Sequence, residues 1–368
     1  MPNSAVSHRR ALHQIPELDN QLPETIRYVT SALEPLGCKV FTPITGSVCA
    51  YFDAGKADTV AFRADMDALP VEEATGLPFA SCYPGRMHAC GHDGHTAMML
   101  SLAEYAAAHL AELPRNVLFL FQPAEETTGG AKKLCEAGVL DRYRVQRIFG
   151  VHLWPGLPTG EVWSRPGPLM ARSNEVTVTV EGQSVHLSRA SEGRDALTAG
   201  IDFLQRAYDM LAQMPPDVPR VLRFGKMVSG TVRNAVSGKT VLEGSLRTYT
   251  EKDHRFLRQR LQDIGKSVTT DTGCPVTVHL SEGYPAVWNH EALYEKVCRQ
   301  LGDYAPSTLA QPALAAEDFS FYQQYVPGIF FFLGTGQTAE LHAPQFDFDD
   351  ETILPRGMEF LQKLLMLP

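Results

Sequence analysis

The sequence has few cysteines and no long apolar run. Its seven cysteines are an odd number among 368 residues, and no two of them form a CxxC spacing. We therefore expect reduced thiols, most of them in the core, rather than a disulfide framework. No segment approaches the roughly 18 uninterrupted apolar residues of a membrane-spanning helix. An apolar core of signal-peptide type is also missing from the first residues, MPNSAVSHRRALHQIPEL, so we expect a cytoplasmic protein.

Positive charge is also scarce. Lys and Arg number 33 against 42 Asp and Glu, which gives a net charge of -9. This balance argues against nucleic acid and against an anionic membrane surface as partners. The 44% hydrophobic and 20% charged residues are typical of an ordinary globular protein. Because the length exceeds the size at which a single core stops growing, we predict two domains.

The order of predicted elements divides the chain into two kinds of segment. A helix interrupted by two prolines is predicted over 4–37, and strands and helices then alternate in α/β fashion. The α/β pattern returns near the end of the chain, with a fully apolar strand at 328–333. The intervening segment has the β-α-β-β-α-β order of a ferredoxin-like fold. We predict a mixed sheet flanked by helices over 1–168 and 284–368, and an inserted α+β domain over 169–283.

Residues 87–95 concentrate three histidines, a cysteine and an aspartate in the stretch MHACGHDGH. Neutral imidazole and thiolate are preferred ligands of zinc and similar metals. On its own, the stretch is equally well explained by a buried cysteine beside surface histidines. Further candidates follow predicted strands, where open α/β sheets place their ligands. These candidates are Glu126 and His152, and a later loop adds His342.

Five side chains make up the candidate metal site: Cys90, His92, Glu126, His152 and His342. Five ligands are more than one tetrahedral zinc with an open position requires. We therefore predict two divalent ions, with the Cys90 thiolate as a bridge, which together would polarise a carbonyl and activate water. Taken singly, His152 could be a strand cap and His342 a loop histidine. Zinc, manganese, cobalt and nickel all suit this donor set.

Glu125 directly precedes the proposed ligand Glu126. A second carboxylate beside the metals is suited to act as a general base and to return the proton to a leaving nitrogen. A solvated surface turn is the alternative for a Glu-Glu pair, but the apolar strand before it favours the catalytic interpretation. Asp65 and Asp67 are expected to orient the ligands, and His88 and His95 have the same expected role.

The motifs resemble the metal-dependent aminoacylase and carboxypeptidase superfamily. Within it, the chain is similar to the amidohydrolase branch of hippurate hydrolase and plant indole-acetyl-amino-acid hydrolases. The resemblance implies a zinc-exopeptidase-like domain with a binuclear metal centre, the five ligands above and Glu125 as the base. It also implies a lid domain that forms a homodimer or a larger homo-oligomer. The matching segments follow one another along the chain: LHQIPEL, RADMDALPVEE, MHACGHDGHTAMML, FQPAEE, GVHLWPGLPTG, TVRNAVSGKTVLEGSLRTY, AAEDFSFY, PGIFFFLGTG and LHAPQFDFDDE.

The same resemblance implies roles for two residues of the lid domain. His186, in GQSVHLSRA, matches a histidine that reaches a neighbouring subunit's active site and steadies the oxyanion. Asn234, in TVRNA, matches a residue that contacts substrate. The carboxylate of an amino acid product needs a cationic or amide anchor, for which Arg247 and Asn234 are the candidates. An arginine on a lid strand is equally explained as a surface charge.

These residues predict an enzyme that hydrolyses N-acyl amino acids, such as N-acetyl or aromatic-acyl amino acids. A dipeptidase or carboxypeptidase on the same scaffold is the alternative. A metal-bound protein without catalysis would lack a ligand or the base, and none is missing. A phosphoester hydrolase would need basic phosphate clamps near the strand ends, which the sequence does not contain.

Overall fold

The computed structural model describes residues 2–215 and 219–368, in which helices and strands alternate. The α-helices are α1 (Pro2–His13), α2 (Pro23–Leu33), α3 (His92–Ala108), α4 (Gly130–Glu136), α5 (Val139–Arg142), α6 (Ala196–Ala212), α7 (Glu251–Thr272), α8 (Glu291–Leu301) and α9 (Asp350–Leu365). The strands are β1 (Lys39–Phe41), β2 (Val48–Phe52), β3 (Thr59–Asp65), β4 (Asn116–Gln122), β5 (Val145–Pro155), β6 (Val162–Ser164), β7 (Gly167–Met170), β8 (Arg172–Glu181), β9 (Val221–Ser229), β10 (Lys239–Thr248), β11 (Val276–Leu280), β12 (Val287–Asn289), β13 (Ser307–Thr308) and β14 (Gly328–Gly336).

The described chain forms two compact units. The first comprises the residues up to Leu169 together with Val287–Pro312 and Glu317–Pro368. The second comprises Met170–Ala286 and Ala313–Ala316. None of the helices in residues 2–215 and 219–368 has the length and apolar character needed to cross a membrane.

The first unit contains an eight-stranded mixed sheet. Its strand order is β1-β2-β4-β3-β5-β14-β6-β13. The central strands β4, β3, β5 and β14 run parallel to one another, and β2 and β6 pair antiparallel on either side. The mixed sheet predicted from the sequence is therefore confirmed.

The centre of this sheet is covered by helices. All residues of β3 and β4 are buried, as expected for strands enclosed on both faces. Helix α3 packs against β3, β4 and β5, and it also contacts α1 and α9. The 3-10 segment Asp318–Gln324 packs against α4, β5 and β14. The central strands that lead to the candidate ligands are therefore buried in the core of the unit.

The second unit is an antiparallel sheet packed on two helices. Its strand order is β11-β8-β10-β9, and the elements follow one another as β8-α6-β9-β10-α7-β11. The buried residues Val176, Val178 and Val180 alternate along β8 and join one core with Phe203 and Leu257 of the helices. The ferredoxin-like prediction for this segment is confirmed.

The predicted long helix over 4–37 is wrong in its continuity. Helix α1 ends at His13 and α2 begins only at Pro23. A proline cannot donate a helical hydrogen bond, and Pro16 lies in the break while Pro23 occupies the first turn of α2. The Glu17 carboxylate, in the break, accepts hydrogen bonds from the Glu24 and Thr25 N–H groups at 3.0 and 2.9 Å. The break therefore provides the N-terminal cap of the second helix.

Two further boundaries differ from the predictions at the site. The sequence predicts a helix over 95–110, but α3 begins at His92, so both histidines lie in its first turn. Strand β5 continues to Pro155, so His152 lies inside the strand rather than beyond its end. The reason is β14, which pairs with β5 as far as Pro155 and keeps it extended.

Candidate metal centre

Cys90 and His92 are placed by a tight turn into α3. Gly91 precedes the helix with φ of 82°, a left-handed conformation that glycine adopts without strain. A Cβ at Gly91 would lie 3.0 Å from the Leu153 side chain, so the turn also packs closely against β5. Both ligand candidates are buried. The turn therefore holds two donors at fixed positions beside the sheet.

The structure brings the five predicted ligands into two groups that share one atom. The donor atoms of Cys90, His92 and His152 all lie within 4.8 Å of one another. Those of Cys90, Glu126 and His342 satisfy the same limit. Cys90 Sγ lies 3.5 Å from His152 Nε2, and Glu126 Oε1 lies 3.2 Å from His342 Nε2. Cys90 is thus common to both groups, as the predicted bridge would require.

Two histidines have ring orientations suited to metal binding. His92 Nδ1 donates to the backbone carbonyl of Asp67 at 2.7 Å, and His152 Nδ1 donates to that of Leu153 at 2.6 Å. A carbonyl can only accept, so each Nδ1 carries the hydrogen and each neutral ring has its lone pair on Nε2. Within the described chain, the buried His92 Nε2 has no hydrogen-bond partner. A divalent cation would satisfy this atom, and the donor set therefore fits the predicted metals.

The electrostatic field at His92 favours positive charge. Burial opposes protonation of its ring, but the carboxylates of Asp65, Asp67 and Glu126 raise its pKa to about 10. Burial, together with nearby His95, lowers the pKa of His152 to about 3, so this ring is neutral. Burial and the Glu126 and Glu125 carboxylates raise the pKa of the Cys90 thiol well above its usual value. Metal binding would therefore displace protons from His92 and Cys90.

His342 reaches the cluster from a strained loop position. Its φ is 68°, in the left-handed region that non-glycine residues rarely adopt. Its N–H donates to the Ala89 carbonyl at 2.8 Å, which ties the loop to the stretch that carries Cys90. The side chain is 53% exposed, in contrast to the other histidines of the cluster.

Asp67 fixes the turn that carries the predicted base. Its two carboxylate oxygens accept the N–H groups of Glu125 and Glu126, each at 3.0 Å. Its own carbonyl is the acceptor for the His92 ring. One residue thus positions a base candidate and two ligand candidates, as expected for an orienting residue.

Glu125 is buried among other acidic groups. Its carboxylate oxygen lies within 4.8 Å of donor atoms of His92 and Glu126 on one side, and of Glu317 and Asp318 on another. Burial raises its pKa well above the usual value, and the charges of Glu317 and Glu126 add to this shift. A carboxyl group whose pKa is raised holds a proton more readily than an ordinary carboxylate, which suits a group that both accepts and donates a proton.

An arginine network behind the base was not foreseen from the sequence. Arg63 donates to Asp65 at 2.6 Å, to Asp318 at 2.7 Å and to Gln122 at 2.9 Å. Burial and Asp318 raise the pKa of Glu317 to about 8, despite the nearby guanidinium. An arginine inside an apolar strand requires carboxylate partners, and the acidic pair in AAEDFSFY could have been matched to it on that ground.

A second buried network supports the first turn of α3. Asp93 accepts hydrogen bonds from Arg9 at 3.0 Å and from His13 at 2.7 Å. Arg9 also donates to Asp347 at 2.7 Å, in the loop that follows His342. The hydrophobic pattern of the N-terminal helix gives no sign of these contacts, because they depend on how α1 packs against α3.

The remaining histidines of the stretch lie beside the cluster. His95 Nδ1 donates to Asp65 at 2.6 Å, and its Nε2 accepts the Leu153 N–H at 2.9 Å. His88 is buried, and burial lowers its pKa to about 3. Its ring centroid lies 6.4 Å from that of His13.

The three lid candidates lie in the second unit. His186 and Asn234 are both exposed. They lie next to each other, because His186 pairs with Ala235 in a β-bridge and the Asn234 carbonyl accepts the Leu187 N–H at 3.1 Å. Arg247 lies on β10, half-buried, and donates to the Ser245 hydroxyl at 3.2 Å. The roles of these three side chains stay predictions.

The mixed sheet and the clustered donors together fit a metal-dependent hydrolase with an α/β catalytic unit. Residues 61–367 match the family described as Peptidase family M20/M25/M40, and the chain belongs to this family. The family resemblance predicted from the motifs is therefore confirmed. So is the assignment of the protein as an enzyme of the amidohydrolase type.

Relatives match the chain along nearly its whole length. It is 34% identical over 362 residues to the N-acetyldiaminopimelate deacetylase of Lacticaseibacillus paracasei, covering 95% of this chain and 94% of the relative. It is 36% identical over 359 residues to an uncharacterized hydrolase of Staphylococcus epidermidis, covering 94% of each. Among solved structures, the YXEP protein of Bacillus subtilis, described as a dinuclear metal binding peptidase from the M20 family, has a TM-score of 0.87 at 30% identity. That match covers 99% of this chain and 97% of the other.

Proposed function

We propose that the protein hydrolyses the amide bond of N-acyl amino acids to give a carboxylic acid and a free amino acid. The observation that carries the proposal is the Cys90 thiol shared by two donor groups, with the buried Glu125 carboxyl beside them. The relative named as an N-acetyldiaminopimelate deacetylase supports a deacylase, because the match extends over nearly all of both chains.

We assign two divalent ions to the centre. Cys90, His92 and His152 would hold one, and Cys90, Glu126 and His342 would hold the other. When bound, such a pair polarises a substrate carbonyl and lowers the pKa of water. Zinc, manganese, cobalt and nickel all suit one thiolate among nitrogen and carboxylate donors. The description of the Bacillus subtilis structure as dinuclear supports two ions rather than one.

Glu125 carries the proton in this proposal. Its carboxylate takes a proton from the attacking water while the water oxygen bonds to the amide carbon. The same group then donates that proton to the nitrogen as the carbon–nitrogen bond breaks. The hydrogen bonds from the Glu125 and Glu126 N–H groups to Asp67 hold the turn still during both transfers.

The lid residues are assigned to the substrate. In the oligomer, His186 is assigned to the active site of a neighbouring subunit, where it donates to the oxygen that becomes negative as the carbonyl is attacked. Asn234 and Arg247 anchor the carboxylate of the amino acid part. His186 and Asn234 are exposed and Arg247 is half-buried, so their side chains are accessible for such contacts.

A dipeptidase or carboxypeptidase is the second candidate, and the peptidase description of the Bacillus subtilis structure favours it. A substrate panel on chelated enzyme, with each metal added back, separates the two. N-acetyl and N-benzoyl amino acids should be hydrolysed with higher kcat/KM than dipeptides of the same amino acids. Faster turnover of the dipeptides, or no turnover of any acyl amino acid, would overturn the proposal.

We further infer a homodimer or larger homo-oligomer in the cytoplasm that acts on a small molecule without nucleic acid or membrane partners. The mass measured by light scattering tests the oligomer. A mass of at least two chains is expected, and a single-chain mass at working concentration would contradict it.

A further inference from the structure

Strand β5 extends beyond its neighbour β3 at the point where it carries a ligand candidate. The two strands pair from Thr59 opposite Val145 to Arg63 opposite Gly150. After Gly150, β5 continues to Pro155 with β14 as its partner. His152 therefore lies in a part of β5 that no longer has β3 beside it.

His95 makes the hydrogen bond to β5 just after this point. Its Nε2 accepts the Leu153 N–H at 2.9 Å, and its Nδ1 faces Asp65 Oδ1 at 2.6 Å. Because a backbone N–H can only donate, Nε2 is unprotonated, and the hydrogen lies on Nδ1 toward the carboxylate. Both side chains are buried, so solvent does not compete for these bonds.

The other backbone group of Leu153 acts on the ligand itself. Its carbonyl accepts from His152 Nδ1 at 2.6 Å, which leaves His152 Nε2 directed at Cys90 Sγ, 3.5 Å away. Leu153 is thus held through its N–H by His95, and it holds His152 through its carbonyl. A displacement of Leu153 would turn the His152 ring or change its tautomer.

We propose that His95 is a positioning residue that sets the orientation and tautomer of His152 through the backbone of Leu153. Both ring nitrogens of His95 are engaged, by Asp65 and by Leu153, so His95 is not assigned as a metal ligand. The chain of contacts is Asp65, His95, Leu153 and His152. The inference rests on the proposed metal centre. It concerns the metal site of Cys90, His92 and His152, and the second site should be affected much less.

Two substitutions separate this role from general structural support. His95→Gln carries its amide at the distance of Nε2, so its oxygen can still accept the Leu153 N–H. His95→Asn carries its amide at the distance of Nδ1, so it keeps a donor for Asp65 and loses the contact with Leu153. Metal binding is measured by calorimetric titration of chelated protein with zinc and with cobalt, alongside thermal melting of each variant.

The glutamine variant should bind two ions per chain nearly as wild type does. The asparagine variant should bind one ion normally and the other about 10–100-fold more weakly, with a changed cobalt absorption spectrum. Equal metal binding by both variants, whether intact or lost, would overturn the inference, as would loss of both ions together. Because no substrate is used, the result does not depend on whether N-acyl amino acids are the substrates.

Discussion

The catalytic proposal depends on one carboxyl group, that of Glu125, and on its acidic surroundings. Glu317, Asp318 and Glu126 lie close enough to disfavour its ionised form, and burial acts in the same direction. Positive charge bound at the neighbouring donors would counter this effect. Metal ions bound at the neighbouring donors would therefore change the proton affinity of Glu125. Such a change suits a group that must accept a proton and then donate it.

Replacing this carboxyl by an amide should stop catalysis without removing the metals. Glu125→Gln has the same shape and cannot accept the proton, so kcat should fall by about 10²–10⁴. Metal content by elemental analysis should stay at the wild-type value. The exposed Glu136→Gln, on α4, serves as the control and should leave both quantities unchanged. Wild-type turnover in metal-loaded Glu125→Gln would refute the assignment.

Replacing one carboxylate oxygen of Asp67 by an amide nitrogen should weaken both catalysis and metal binding. In Asp67→Asn, the amide NH2 would face one of the two N–H donors that the carboxylate now accepts. We expect kcat/KM to fall by about 10–100-fold, with weaker metal binding. Asp53→Asn is the matched control, because Asp53 also accepts a backbone N–H, from Gly55 at 2.9 Å, on an exposed turn. Equal effects of the two substitutions would show that Asp67 has no special role.

The protonated His13 should make stability depend on pH on the alkaline side. Burial opposes its charge, but Asp93 and Glu73 raise its pKa to about 9 in the folded chain. The unfolded value is about 6.5, so the folded state holds the proton more tightly. The stabilisation is complete below about pH 6.5 and is lost as the pH rises through about 9.

Urea unfolding of metal-free wild type and His13→Gln measures this contribution. The difference in the free energy of unfolding should be largest at about pH 6 and should shrink by up to about 3 kcal/mol by about pH 10. A difference that stays constant over this range would mean that His13 contributes through packing alone.

At the scale of secondary-structure elements, the start of α3 tolerates no added volume. A Cβ at Gly94 would lie 2.8 Å from Leu153 Cδ1 and 2.9 Å from Phe348 Cζ. Gly94→Ala should therefore lower the free energy of unfolding by about 1–3 kcal/mol and weaken metal binding at the neighbouring turn. Gly225→Ala, where a Cβ would meet nothing within 4 Å, is the control. Denaturant melts of both variants test this, and a neutral Gly94→Ala would contradict the close packing.

Elements with a strong local signal were predictable from the sequence. The apolar runs of β4 and β14 and the alternation of β8 are patterns that by themselves indicate strands. The full length of β5 was not predicted, because its last residues are held extended by pairing with β14. The break between α1 and α2 depended on a cap from Glu17, which periodicity does not reveal.

At the candidate site too, residues with a local sequence signal were predicted, and residues whose partners are distant in sequence were not. Cys90 and His92 were predicted as ligands from ligand types at close spacing, and Glu125 was predicted as the base from its place after an apolar strand. The networks of Arg63 and Arg9 were missed, because their partners lie as far as 255 and 341 residues away along the chain. A buried charge signals that partners exist, but only the fold identifies them.

At the scale of the whole molecule, the candidate metal-binding residues and the candidate substrate-binding residues belong to different units of the chain. All five metal-ligand candidates and Glu125 belong to the first unit, and His186, Asn234 and Arg247 to the second. The first unit is therefore expected to bind metal on the evidence of its own donors. Substrate preference is expected to depend on the second.

The central claim is that one cysteine serves two metal ions in a hydrolytic centre. The most direct measurement is the number of divalent ions bound per chain, titrated into chelated wild type and Cys90→Ser, with hydrolysis of an N-acyl amino acid followed at each ratio. Wild type should bind two ions and reach full activity only when both are present, whereas Cys90→Ser should lose affinity at both positions. A single ion per chain, or full activity in the chelated enzyme, would contradict the account.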